Sequence, residues 1–135
     1  MLPHLKKRLI KKHVIAKIGS FYYCDNFMVS EINEGVIVSL EMVLKVTNKY
    51  TKKYYPNNTP FVYIANRINS YSIQPTIHFE TKKILPNVKG YGVITYNSIN
   101  NKIATLEQSF LYAPTKIFDN LEEAILWVDE LILHD

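Results

Sequence analysis

Four histidines, a single cysteine and one serine-bearing loop are the residues of this chain whose chemistry could amount to a function. A metal site needs several ligands converging, yet His4, His13, His78 and His134 are scattered and no two stand four residues apart on a helical face. A nucleophile would need Cys24 or a serine beside a histidine and an acid, an arrangement in which His78 would have to meet the stretch Asn66 to Ser72. Cys24 sits among aromatic residues in "FYYCDNF" and reads as a packed thiol, and His78, near the start of a helix, as a surface or half-buried residue. Gly19, Gly35, Gly90 and Gly92 never gather into a glycine-rich loop, so no phosphate cradle is indicated. These residues name no catalytic group, no metal and no cofactor, and an enzyme is the least favoured class.

What remains is "NRINSYSIQP", residues 66–75, where a hydrophobic run breaks into a polar loop. Asn66, Arg67, Asn69, Tyr71 and Gln74 are its candidate binding residues, and Ser70 and Ser72 its candidate regulatory serines. Phosphate at a helix N-terminus is stabilised by free amides, and its added negative charge would change how the surface docks. Ser72 as an ordinary cap or turn residue is the simpler account of the same position.

The elements that must position this loop follow from spacing. "SFYYCDNFMVSEINEG" holds two runs of aromatic and branched residues, divided by Asp25-Asn26 and closed by Asn33-Glu34-Gly35, which predicts a β-hairpin. Ser39 precedes a segment in which Leu40, Val43, Leu44, Thr47, Tyr50 and Tyr54 recur at helical steps, opposite Glu41, Lys45, Lys49, Lys52 and Lys53. That lysine face reads as solvated. "FVYIA" and "VKGYGVITY" are apolar runs of strand length, buried on both faces, with Gly90 and Gly92 marking a bend or a close neighbour. "TIHFETKKIL" predicts a helix ended by Pro86-Asn87, and Asn97-Ser98 opens another with Ile99, Ile103, Leu106 and Phe110 in register. "TKIF" is a short strand, after which Asp119-Asn120 caps a helix whose buried stripe is Leu121, Ala124, Ile125, Val128 and Ile132. Strands alternating with helices predict an α/β domain: an N-terminal hairpin and largely parallel central strands covered by about four helices. The loop then lies beyond the carboxyl ends of the strands, where ligands of open α/β sheets bind.

Length and charge narrow the class. The chain has 135 residues, 47% of them hydrophobic and 21% charged, which suits one soluble domain with a core of its own. A lone cysteine excludes an internal disulfide and fits a reducing compartment, so the expected location is the cytoplasm. Apolar runs are interrupted by residues such as Lys17 and Lys45, so no transmembrane segment is expected, and the apolar part of the N-terminus is too short for a signal peptide. The net charge of +4 is a local matter, because Lys6, Lys7, Arg8, Lys11 and Lys12 stand together with no acid among them. Residues 1–19 therefore read as a basic leader, solvated or touching an anionic surface, ahead of a single domain over 20–135. Aromatics in the strands are not interleaved with Lys or Arg, which argues against nucleic acid.

Over most of residues 20–134 the chain resembles the SpoIIAA-like proteins of the STAS superfamily, small α/β domains related in fold to anti-sigma-factor antagonists and compared with Sec14 lipid-binding domains. "EINEGVIVSLEMV", "PFVYIANR", "GYGVITYNS" and the ending "FLYAPTKIFDNLEEAILWV" carry the resemblance. It implies a SpoIIAA-like fold and a non-enzymatic regulatory module that binds a protein partner, modulated at Ser70 or Ser72. In the antagonists an acid precedes the phosphorylated serine, whereas here the letters are Asn69-Ser70-Tyr71-Ser72. The Sec14 side of the resemblance implies the alternative, a binding domain for a lipid or other small apolar ligand.

Overall fold

The computed structural model describes residues 3–56, 59–74, 76–98, 101–102, 104–105 and 113–133. Asn57, Asn58, Pro75 and His134 lie outside the described residues, as does most of the helix expected after Asn97-Ser98. A short turn of helix, α1 (Pro3–Lys6), leads into strands β1 (Leu9–Ile15), β2 (Gly19–Cys24) and β3 (Phe27–Ile32). The β2–β3 pair is the hairpin expected from Asp25-Asn26, with Asn26 at a positive φ of 68°, which asparagine tolerates. Gly19 is required at the start of β2, since a Cβ there would run into the Glu31 carbonyl oxygen on the neighbouring strand.

The described part of the expected leader, residues 3–19, is built into the fold. Leu9–Ile15 pairs antiparallel with β2 and forms an edge of the sheet. Leu5 is buried in the core, and Arg8 bonds Asp25 at 2.6 Å and Asp129 at 2.8 Å, tying the segment to the hairpin turn and to the last helix. Lysines at solvent-facing positions of an edge strand disguise it, because they break the apolar alternation while protecting the edge from mispairing.

The remaining strands are β4 (Ile37–Val38), β5 (Phe61–Arg67), β6 (Ser72–Ile73), β7 (Val88–Thr95) and β8 (Thr115–Phe118). Six of the eight strands described make one mixed sheet in the order β1-β2-β3-β5-β7-β8, with β3, β5, β7 and β8 parallel, while β4 and β6 pair in parallel beside it. The α/β class read from the sequence is what the chain adopts.

Between β4 and β5 runs a continuous helical stretch: α2 (Leu40–Val46), a π-helical turn over Thr47–Thr51, and α3 (Lys52–Tyr54). Ser39 caps it, its Oγ accepting from the Met42 amide at 3.2 Å. The π turn corrects the expected stripe. Thr47, Thr51 and Tyr55 follow one another at strict four-residue steps, which overshoot the 3.6-residue period; a wider turn holds them in line, and all three are buried. Leu40 and Leu44 are left partly exposed, and the lysine face is exposed as expected. Tyr55 stacks on Phe61 at 4.3 Å, and its hydroxyl serves the hairpin turn, donating to the carbonyls of Cys24 and Phe27 and accepting from the Cys24 amide.

Helix α4 (Ile77–Ile84) joins β5 and β6 to β7, and α5 (Leu121–Leu133) follows β8. Asn120 caps α5 by accepting from the Glu123 amide at 2.9 Å. Leu121, Ala124, Ile125 and Val128 are buried as the periodicity predicts, with Ile132 packed partly against them. Gly90 is the close neighbour foreseen in β7, because a Cβ there would lie 2.7 Å from Leu131 and 3.0 Å from Trp127.

The sheet therefore separates two cores. Beneath α5, Phe27, Val29, Val62, Ile64 and Ile94 pack with Leu121, Ala124 and Val128. On the other face, Phe21, Tyr23, Met28, Phe61 and Tyr91 pack with residues of the helical stretch and of α4, among them Val46, Tyr55 and Ile84. Among the described residues no helix is long and apolar enough to cross a membrane.

Candidate functional site

The last two residues of β5, Asn66 and Arg67, are neighbours in sequence and lie on opposite faces of the sheet, because strand side chains alternate. One candidate loop therefore serves two environments, and both side chains belong to the strand rather than to the loop.

On the α5 face, Asn66 is buried and held on both sides. Its amide donates to Glu31 Oε2 at 2.8 Å, and its Oδ1 accepts from the Tyr96 hydroxyl at 2.7 Å. Tyr22 donates to Glu31 Oε1 at 3.2 Å, with Lys12 Nζ 5.1 Å from the Tyr22 ring centre. Burial first, and then the Glu31 charge, pushes the Tyr22 and Tyr96 hydroxyls above their ordinary pKa, so both stay protonated donors. The chain Tyr22–Glu31–Asn66–Tyr96 is a satisfied polar network at the carboxyl end of the parallel strands. Glu31 stands 35 residues from Asn66 and Tyr96 stands 30, and neither was among the expected site residues. A carboxylate in phase with Phe27 and Val29 on a strand was the available signal for Glu31.

On the other face, Arg67 is 4% exposed and its guanidinium lies 5.0 Å from the Tyr71 ring centre, within cation–π reach. Arg67 and Tyr71 line a cavity of about 120 Å³ between the sheet and the helices. Its floor is Met28, Tyr63, Ala65 and Val93 from the strands, and its roof is Met42, Val46 and Thr47 from α2 and the π turn, with Ile77 from α4 closing one side. Among the described residues lining it, Arg67 is the one charged side chain. Floor hydroxyls are engaged: Tyr63 donates to Ser30 at 2.8 Å, and Tyr91 lies 3.3 Å from Thr81 Oγ1.

The rest of the loop is built into the fold. Asn69 donates to the Ile32 carbonyl at 3.0 Å, and the Ser70 amide donates to Glu34 Oε2 at 2.8 Å. The Ser70 carbonyl accepts from Gly35, and the Ser72 amide donates to Val36, so the loop is laced to residues 32–38 and extended by the β4–β6 pair. Ser70, Ser72 and Gln74 are exposed. Of the expected site residues, the structure brings Arg67 and Tyr71 together at the cavity, sends Asn66 to the opposite face, and leaves Asn69, Ser70, Ser72 and Gln74 on the loop.

Other reactive side chains are accounted for by packing. Burial first, then Asp25, pushes the Cys24 thiol up to about 12, which suppresses thiolate and with it nucleophilic character. His13 Nε2 lies 2.8 Å from the Tyr54 hydroxyl, with its ring 4.3 Å from that of Tyr50. Among the described residues no three His, Cys, Asp or Glu side chains gather as a metal-ligand set. Comparison with protein-family models, curated proteins and solved structures returns no match to this chain.

Proposed function

We propose that this domain is a non-enzymatic binding module that takes a small apolar molecule into the cavity beneath the π turn. The observation that carries the reading is a space of about 120 Å³, walled mostly by apolar side chains, that runs along one face of the parallel strands from Val88 at the start of β7 to Arg67 at the end of β5. An apolar pocket of this size matches a benzene-sized guest, whose contacts would replace those that its walls lack. Met28 and Met42 in the wall add adaptability, because an unbranched thioether side chain can make room at little cost. A cytoplasmic setting belongs to the same reading.

Extraction of the protein purified from its own cell, followed by mass spectrometry, is expected to release a small apolar compound, whose return raises the melting temperature. An extract without such a compound, together with a melting temperature unmoved by any small apolar molecule, would overturn the reading.

A second reading is the SpoIIAA-like regulatory module, which docks a protein through the loop after β5. Two large apolar side chains favour it: Ile37, 73% exposed in β4, and Ile68, 52% exposed in the loop, flank the exposed Ser70 and Ser72. The order of hairpin, helix and parallel strands supports the finer assignment to a SpoIIAA-like fold. Glu34 at the Ser70 amide would repel a phosphate there, so Ser72 is the better candidate of the two. Intact-mass analysis and capture with Ile37→Asp and Ile68→Asp variants separate this reading from the first, because neither residue lines the cavity.

A further inference from the structure

We infer that the outer edge of β1 takes up an acidic, extended segment of a partner protein as a further strand, its carboxylates set against Lys11, Lys49 and Lys53. This surface lies apart from the cavity, and folding assembles it from two stretches distant in sequence.

Strand β1 ends the six-stranded sheet, pairing with β2 on one side and with no described strand on the other. A bulge between Leu9 and Lys11 leaves Lys11–Ile15 as the regular part of that edge. The outward N–H and C=O groups of an edge can complete a ladder with any extended chain, so the side chains must choose the partner.

On the π-turn face they choose an acidic one. His13 reaches the helical stretch, with Nε2 2.8 Å from the Tyr54 hydroxyl and its ring 4.3 Å from that of Tyr50. Lys49 Nζ lies 5.4 Å from the Tyr50 ring centre and Lys53 Nζ 5.9 Å from that of Tyr54, which brings both ammoniums to the β1 edge. Lys11 shares the face of His13, because strand side chains alternate. All three lysines are exposed, and among the described residues no carboxylate pairs with them. The charges that act on the His13 ring are these same lysines, all of one sign. Such an edge repels a second copy of itself and attracts a strand bearing Asp or Glu at alternate positions.

Other anionic partners fit less well. Val14, 71% exposed, lies on the opposite face of β1 from His13. A flat lipid surface that met the lysines would leave it in water, whereas a strand laid along the edge has side chains on both faces and covers Val14 with an apolar one. The Tyr50 and Tyr54 rings are already engaged, Tyr50 by His13 and Lys49, Tyr54 by Tyr23 at 4.6 Å and by Lys53, and make poor platforms for nucleic-acid bases.

Fluorescence anisotropy with the full chain tests this, using labelled peptides of about seven residues. One alternates Glu and Val, one has the same composition with its Glu residues in a block, and one alternates Lys and Val. The alternating acidic peptide is expected to bind on the order of tenfold more tightly than its block isomer, and less tightly as salt rises, while the Lys peptide stays unbound. Binding should slow hydrogen exchange at alternate amides between Lys11 and Ile15. Lys49→Glu combined with Lys53→Glu should weaken the alternating acidic peptide on the order of tenfold, and the wild-type peptide series decides the matter if that variant fails to fold. Equal binding of the two acidic isomers, or β1 exchange unchanged on binding, would overturn strand addition. Binding to phosphatidylserine vesicles with none to the peptides would make this a lipid-facing surface and overturn the peptide partner, as would no binding at all.

Discussion

Beneath α5 the sheet is filled, and across the same strands it is not. Phe27, Val29, Ile64 and Val128 exclude solvent completely on the α5 side, and Gly90 leaves no room for even one more carbon beneath Leu131 and Trp127. On the other side the roof is a helix interrupted by a π turn, the floor includes Tyr63 and Tyr91, and a cavity with a buried arginine lies between them. Close packing makes a face rigid and unreceptive, whereas a face with unused volume gives up contact energy and keeps a place for a guest. A single sheet thus faces two environments: close packing beneath α5, and the cavity beneath the π turn.

The largest effect that would sharpen this contrast comes from truncation. Ile64→Ala, on the filled face, is expected to cost about 4 kcal/mol, and Ile77→Ala, on the cavity wall, about 2 kcal/mol, because a side chain already facing a void has fewer contacts to lose. Urea unfolding of the two variants measures the difference. Equal costs would mean that the cavity face is packed as tightly as the other.

The reverse experiment, adding carbon, has a smaller effect and opposite signs on the two faces. Gly90→Ala should destabilise by about 1 to 2 kcal/mol, since Leu131 can turn aside while Trp127 and the Pro114 carbonyl are harder to move. Ala65→Val, which grows into the cavity from β5, should stabilise by about 0.5 to 1 kcal/mol and weaken ligand uptake. Melting curves read both changes, and a destabilised Ala65→Val protein would break the comparison.

These features differ in how far they could be read from the letters. Caps are local, so Ser39 and Asn120 were legible as helix starts, and the uninterrupted apolar runs of β5 and β7 announced strands covered on both faces. Strand β1 was not legible, because Lys11 and Lys12 meet the needs of a solvent-exposed edge and look like a tail when read along the chain. The loop after β5 could be placed beyond the carboxyl ends of parallel strands. Its division is hidden in one polar stretch of letters, although the period of two already puts Asn66 and Arg67 on opposite faces. Glu31 and Tyr96 join Asn66 from distant strand ends, and such partners become visible only with the register of the sheet. The cavity is harder still, since a void is the mismatch between two surfaces and no residue encodes it alone. Even the π turn that roofs it is betrayed only by the four-residue rhythm of Thr47, Thr51 and Tyr55.

The smallest expected effect lies at the edge of the cavity face, where His13 in β1 packs against Tyr50 and pairs with the Tyr54 hydroxyl. Burial first, and then Lys11, Lys53 and Lys49, lowers its pKa from the ordinary 6.5. The unfolded chain therefore takes up the proton first as pH falls, so the neutral imidazole contributes its full share of stability above about pH 6.5 and loses it through the lower folded pKa. Titration of the His13 ring protons by NMR should show a midpoint below 6.5, and denaturation midpoints should fall between about pH 7.5 and pH 5.5 by less in His13→Phe than in the wild type. Salt separates the two causes. Raising ionic strength screens the three lysines and moves the midpoint back toward 6.5, while the part due to burial remains. A midpoint that returns fully to 6.5 in high salt would make His13 a surface residue in a basic patch, and the aromatic packing beside it would then not extend the protected face as far as β1.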